Sequence, residues 1–193
     1  MPKIVDHQTY RQELLSQCFD LFAQHGYSAI TMRQIAQGLG VSTGTLYHYF
    51  PSKENIFEQL IEYLSIQDTS AEQLPNLDDC PTLSAKIDAV MEFLAEKEDY
   101  ISKNILIVMD YIQKQDRQTV LEHPILQAAA ERYEKAVARC LGIDDPALAI
   151  FVISWFDGLV MRRMLTGEKV SLVEQGKLFG QMLEAYMAVM GNG

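Results

Sequence analysis

Residues 31–50, TMRQIAQGLGVSTGTLYHYF, decide the fold. Thr31 is placed to cap a first helix on which Ile35, Ala36 and Leu39 share one face. Gly40 offers the positive φ that ends such a helix, and Val41 follows as a plug at the corner. Ser42 is the natural N-cap of a second helix, whose Leu46 and Phe50 point inward at i and i+4. Thr43, Thr45, Tyr47 and His48 then face outward, a set of short hydrogen-bonding groups and rings suited to a DNA groove. Two short helices around such a turn make a helix-turn-helix, whose second helix enters the major groove. Gly44 costs its helix about 1 kcal/mol relative to alanine, which implies a close approach there by the first helix or by a DNA backbone.

The flanks read as helices throughout. Leu14, Leu15, Cys18, Phe19, Leu21 and Phe22 form the apolar stripe of a helix from about Asp6 to Gln24, stopped by Gly26. After Pro51, Ser52 caps a fourth helix carrying Ile56, Phe57, Leu60, Ile61 and Leu64 and reaching about Gln67. Residues 68–82 are polar, hold two prolines and read as a loop. Helices follow over 83–97, 99–114, 124–141 and 147–165, the last opened by Asp145-Pro146 and closed by Gly167. Ser171 and Glu174 form a capping box for a final helix over 172–190. The expectation is an all-α protein of about nine helices. Residues 1–51 are read as a three-helix helix-turn-helix DNA-binding domain and 52–193 as a helical ligand-binding and dimerisation domain.

Charge divides along the same line. Residues 1–53 carry four Lys and Arg against three Asp and Glu, together with three of the four histidines, whereas the remaining 140 carry 12 against 23. A net charge of −10 argues against nucleic acid for the chain as a whole. Its acidity is confined to the body, but the head is only weakly basic. DNA contact must therefore lean on helix N-termini, backbone amides and hydroxyls more than on Lys and Arg. No apolar run approaches 20 residues and no leader is evident, so a cytoplasmic protein without membrane contact is expected. Cys18, Cys80 and Cys140 lack metal-ligand spacing, and no metal or cofactor is expected. The chain has no Ser/His/Asp grouping, and His123 before Pro124 reads as a loop residue, so no enzyme is expected either.

The stretch resembles the DNA-binding signature of the TetR family of bacterial transcriptional regulators. The resemblance rests on Thr31, Arg33, Ile35-Ala36, Gly40-Val41-Ser42, Gly44-Thr45-Leu46-Tyr47-His48-Tyr49-Phe50 and Ser52-Lys53-Glu54, with FDLFAQHGYSA (19–29) matching upstream. It covers the first quarter to third of the chain. It implies that Tyr47 meets the sugar-phosphate and that Lys53 meets a phosphate. A lysine in the first turn of a helix is electrostatically misplaced unless an anion joins it, which supports the second role. Ser42, Thr43, Gly44 and Thr45 complete the groove-facing set, and Thr43 and Thr45 suit base edges. Thr31 and His48 fit phosphate contacts, with Lys3 and Arg11 as further cations, and Arg33 fits a phosphate or the minor groove.

One recognition helix reads few base pairs, so a palindromic operator bound by a homodimer is expected. Residues 147–165 are apolar nearly all round, enough for a core face and a partner face. Ile150, Phe151, Val160, Phe179, Leu183, Tyr186 and Met187 are the candidate dimer residues, in a four-helix bundle that the resemblance implies. The resemblance also implies an effector pocket in the body, with Met91, Phe93, Met109, Tyr111, Tyr133, Trp155, Phe156 and Met161 as candidates, and it tilts the reading toward a repressor. A ligand-independent module with a filled core is the alternative. Asp157 and Arg162, charges on an apolar helix, are open between pairing within the chain, pairing across a dimer and orienting a ligand.

Overall fold

The computed structural model describes residues 7–190, and all regular structure among them is helical. Ten α-helices follow in order: α1 His7–His25, α2 Met32–Gly38, α3 Thr43–Tyr49, α4 Lys53–Asp68, α5 Leu83–Glu96, α6 Glu98–Ile112, α7 Arg117–Glu122, α8 Pro124–Leu141, α9 Pro146–Thr166 and α10 Leu172–Met190. A 3-10 turn at Gly167–Lys169 joins the last two. The all-α class is as read from sequence. Lys3 and Asp6, given a phosphate contact and a helix start above, lie outside the described residues. The helix missed is α7. Asp116 caps it, accepting from the Thr119 amide at 3.0 Å and the Thr119 hydroxyl at 2.7 Å, but it buries no side chain, so apolar periodicity carries no trace of it.

The contacts gather into two units. The first joins the described chain through Asp68 to Lys103–Ala130, and the second joins Thr69–Ser102 to Glu131 onward. In the first, Leu14, Cys18 and Phe22 of α1 are buried with Ile35 of α2, Leu46 and Phe50 around α3, and Ile56, Phe57 and Leu60 of α4. Fully burying such a side chain contributes about 1.5–3 kcal/mol. Gly38 permits the contact between α1 and α2, because a Cβ there would stand 2.6 Å from Leu21 Cδ2. Tyr111 of α6 is wholly buried in this unit, stacked on Phe57 at 3.9 Å between centroids, with its hydroxyl 3.2 Å from Glu54 Oε1. Its phenol is pushed above the usual tyrosine range, by burial first and then by the negative charge of Glu54.

The second unit is built on α5 against α10, with α9 and the end of α8 closing its core. Ile87, Met91, Val152, Phe156, Leu172 and Phe179 are its buried centre. Asp145 caps α9 through the Ala147 amide at 2.9 Å, with Pro146 in the first turn. Arg163 fastens the other end, donating from Nε to Glu98 Oε1 at 2.5 Å and from Nη1 to the Val170 carbonyl at 2.5 Å.

Candidate nucleic-acid interface

The turn between α2 and α3 is assembled from local hydrogen bonds. Thr31 forms a capping box: its side chain accepts from the Gln34 amide at 3.3 Å while Gln34 Oε1 accepts from the Thr31 amide at 3.0 Å. Gly40, at φ +67°, turns the chain, and the Val41 amide closes onto the Ala36 carbonyl at 3.0 Å. Ser42 caps α3 by accepting from the Thr45 amide at 2.9 Å. With Leu46 and Phe50 fully buried beneath it, α3 has only one outward orientation.

That outward face holds Thr43, Gly44, Tyr47 and His48, all exposed, with Thr45 half-exposed and its hydroxyl 2.8 Å from that of Ser42. Tyr47 is 50% exposed. The space beyond Gly44 decides between the two explanations of this glycine. A Cβ there would find no atom nearer than Ser42 Oγ at 3.7 Å, so the first helix does not approach, and the room lies open to an outside backbone. Thr31 and Arg33 are also exposed.

Lys53 is placed otherwise than expected. Its ammonium donates to the carbonyls of Tyr27 (2.6 Å), Ile30 (3.0 Å) and Ser28 (3.2 Å) and lies over the Tyr27 ring at 4.6 Å. Three donors meet three acceptors, which leaves none for a phosphate in this conformation. Burial holds the ammonium below the usual lysine range, and the nearby Asp110 carboxylate works against that shift. Arg11 is likewise turned inward, donating from Nη2 to the Tyr49 carbonyl at 2.8 Å at the C-terminus of α3. Tyr49 packs on α1, its ring 5.5 Å from Tyr10 and its hydroxyl 3.1 Å from His7 Nδ1.

Sequence reading missed the clasp that holds the loop before α2. Asp110 of α6 accepts from the Ser28 amide at 2.8 Å and the Ser28 hydroxyl at 2.7 Å. Burial pushes the Asp110 carboxyl up, but the two Ser28 bonds and the charges of Lys114 and Lys53 outweigh it and hold it below the usual range. Nothing local announces this pairing, whose partners are 82 residues apart.

The remaining candidates scatter. Among the pocket residues, Tyr111 belongs to the core of the first unit, Met91 and Phe156 fill the core of the second, and Met109 and Met161 are exposed. Phe93 and Tyr133 are half-buried. Trp155 alone of the eight borders a described cavity, an open space of about 520 Å³ between α9 and α10 lined also by Phe151, Leu178, Met182 and Tyr186. Of the dimer residues, Ile150, Phe151, Tyr186 and Met187 are exposed. Val160, Phe179 and Leu183 are instead buried in the chain's own core, with Phe179 stacked on Trp155 at 3.9 Å. Leu165, Leu178, Met182 and Val189 take their place on the outside, with Met161. Asp157 and Arg162 are exposed on α9 and form no ion pair with each other.

A helical protein whose N-terminal helix-turn-helix presents an uncovered second helix is the class that this geometry defines. Residues 14–60 match the family model for bacterial regulatory proteins of the tetR family. The HTH-type transcriptional repressor KstR2 of Mycobacterium tuberculosis (strain H37Rv) is 38% identical over 76 residues, a match covering 35% of this chain and 38% of that repressor's length. The HTH-type transcriptional repressor AcnR of Corynebacterium efficiens is 24% identical over 161 residues, 79% of this chain and 80% of the relative. The crystal structure of FadR from Bacillus subtilis, in complex with stearoyl-CoA, superposes over 90% of this chain and 97% of its own, with a TM-score of 0.65 at 17% identity. The N-terminal part of the chain is thus similar to the DNA-binding region of tetR-family regulatory proteins, and the chain as a whole shares the fold of such regulators.

Proposed function

We propose that this protein is a cytoplasmic transcriptional regulator, a repressor, that binds a palindromic operator as a homodimer and is released by a small-molecule effector. Residues 1–51 form the DNA-binding domain and 52–193 the ligand-binding and dimerisation domain. The observation that carries the reading is the uncovered face of α3: Thr43, Gly44, Thr45, Tyr47 and His48 stand outward over a helix fixed by buried Leu46 and Phe50. These are the side chains that would read the major groove, with Thr31 and Arg33 at the flanking phosphates. Lys53 is assigned to the support of the loop before α2 and not to the DNA.

The dimer surface is the exposed apolar face of α9 and α10, with Ile150, Phe151, Met161 and Leu165 on one helix and Leu178, Met182, Tyr186 and Met187 on the other. So many large apolar side chains on adjacent helices mark an association surface. Effector action is a shift between two body conformations, of which the ligand prefers the one whose heads no longer fit both half-sites. A ligand-independent regulator is the second reading, and it is favoured by the burial of Met91 and Phe156 in a filled core.

Selection of bound sequences from a random duplex pool by the purified protein is the test, followed by a thermal-shift screen of small molecules on the same sample. A palindromic consensus supports the dimeric reader, and a stabilising compound that also frees the DNA supports the effector. No enrichment at low salt refutes the DNA reading.

A further inference from the structure

Residues 69–82, which read as a loop or a break between helices, lie against the N-terminal end of α5 and the C-terminal end of α8 and line with them an open cleft of about 700 Å³. Its chemistry differs from that of the apolar space beside Trp155. The polar lining consists of Asn76, Asp78, Cys80, Lys86, Arg139 and Cys140. Acidic side chains outnumber basic ones 26 to 16 along the chain, yet this cavity collects two cations against one carboxylate.

Neither cation forms an ion pair among the described residues. The Lys86 side chain is half-buried and has no hydrogen-bond or ion-pair partner among the described residues. It sits in the first turn of α5, which holds no acidic residue and whose dipole disfavours a cation. The carbonyl end of α8 at Gly142 lies beside its ammonium, 3.8 Å from where a Cβ would stand, and this offsets the dipole without using the lysine's protons. Arg139 donates one Nη2–H to the Thr69 carbonyl at 2.9 Å, and its remaining N–H groups have no protein acceptor among the described residues. Both charges bear on one point: burial pushes the Cys140 thiol up, and Arg139 and Lys86 act together to draw it back. Half-buried Lys86 and exposed Arg139 flank a half-buried thiol in a cleft large enough for a metabolite, where the two cations outnumber the single carboxylate of Asp78.

We propose that this cavity is a binding site for a small oxyanion, a carboxylate or phosphate group held between Lys86 and Arg139. Asn76 and Asp78 are placed to meet polar substituents on the ligand's body. The site lies wholly within the second unit and stands whether or not the DNA reading does, because its test uses free protein.

Cys80 and Cys140 line the cavity and report on its occupancy. The full-length protein is alkylated with iodoacetamide, and the rate at each cysteine is read by peptide mass spectrometry against rising inorganic phosphate or malonate, with sodium chloride at matched ionic strength as control. A saturable slowing at Cys140 and Cys80 by either probe, absent with chloride, supports the site, and the better probe distinguishes a phosphate from a carboxylate ligand. Lys86→Gln and Arg139→Gln each raise the half-saturating concentration about tenfold or more, the loss of one charge-assisted contact. Lys135→Gln, which removes only an exposed ion pair with Glu131, leaves it unchanged. Cys18, 0% exposed, is the internal check that a variant is folded. If Lys86→Gln exposes Cys18, the charge-keeping Lys86→Arg takes its place and must retain protection. No slowing by either probe, or equal half-saturation in the wild type and both glutamine variants, overturns the proposal.

Discussion

Lys53→Met removes the ammonium while keeping a stem of similar bulk against Tyr27, and so separates the structural role of this residue from a DNA contact. The wild-type group makes three N–H···O bonds of 2.6, 3.0 and 3.2 Å to backbone carbonyls and lies 4.6 Å from an aromatic centroid. Hydrogen bonds to charged groups are worth about 1.5–3 kcal/mol each where water is excluded. The residue is partly exposed, so the freed carbonyls regain water, and the three bonds together come to about 2 kcal/mol. Loss of the cation–π contact adds about 0.5–1 kcal/mol. For a chain of this length each kcal/mol lowers the melting temperature by about 2–4 °C, so the variant should melt about 5–12 °C below wild type. The assay is thermal unfolding followed by circular dichroism, run beside an operator titration at a temperature where both proteins are folded. A melting temperature within about 1 °C of wild type, together with loss of operator affinity, would refute the reasoning and return Lys53 to the phosphate.

Tyr47→Ala should leave the melting temperature unchanged, since the ring is half exposed, and weaken operator binding about tenfold or more in a gel-shift titration. The salt dependence of that binding should be shallow. With Arg11 and Lys53 turned inward, Arg33 is the remaining Lys or Arg of the described head, and the dimer's log–log slope should be about −2 to −4. A slope beyond about −7 would mean that the inward cations swing out on binding. Gly176→Ala gains about 1 kcal/mol of helix propensity but puts a Cβ 2.3 Å from Met91 Cγ, whose side chain is 1% exposed. Overpacking at about 1–3 kcal/mol outweighs that gain, so denaturant melts should show net destabilisation. Asp110→Asn tests the clasp through pH. A carboxyl held below its unfolded value contributes stability above pH 3.8 and loses it as pH falls through the lower folded value. The wild type should therefore lose a stabilising contribution on acidification that the asparagine variant never had, and identical acid profiles would exclude it.

What was legible in the sequence follows the range of the forces involved. The helix-turn-helix could be read residue by residue because its determinants are local: Thr31 and Ser42 act on amides three residues away, and Gly40 acts on its own φ. The engagement of Lys53 with backbone carbonyls 23 to 26 residues upstream is not legible in the sequence, because such partners leave no mark in side-chain pattern. The face of α10 was misassigned for a different reason. Leu178 and Met182 alternate with Phe179 and Leu183, so either set makes a plausible stripe, and only the packing of α5 and Trp155 chooses which turns inward. As an aromatic position of a body helix Tyr111 reads as a pocket candidate, but it is committed to Phe57 and Glu54 in the first unit. A pocket is a property of where side chains converge, and periodicity along one helix carries no information about convergence.

The electrostatics of the head bear on the proposed switch. In the proposed reader, a head that keeps Arg33 outward and spends Arg11 and Lys53 on its own carbonyls would hold DNA weakly through charge. Its proposed contact surface is the hydroxyls of Thr43, Thr45 and Tyr47 with the ring of His48, groups that act only within hydrogen-bond or van der Waals range. Such contacts do not hold a misaligned head near the groove as a strongly basic arm would. The second head then adds affinity only when its half-site is within reach, since an effective concentration collapses once the geometry forbids joint engagement. In the proposed dimer, a small change in the separation of the heads is therefore sufficient to release the operator. Acid in the body, 23 Asp and Glu against 12 Lys and Arg, acts in the same direction in the proposed dimer, because a head that lifts off leaves that negative charge free to repel the DNA.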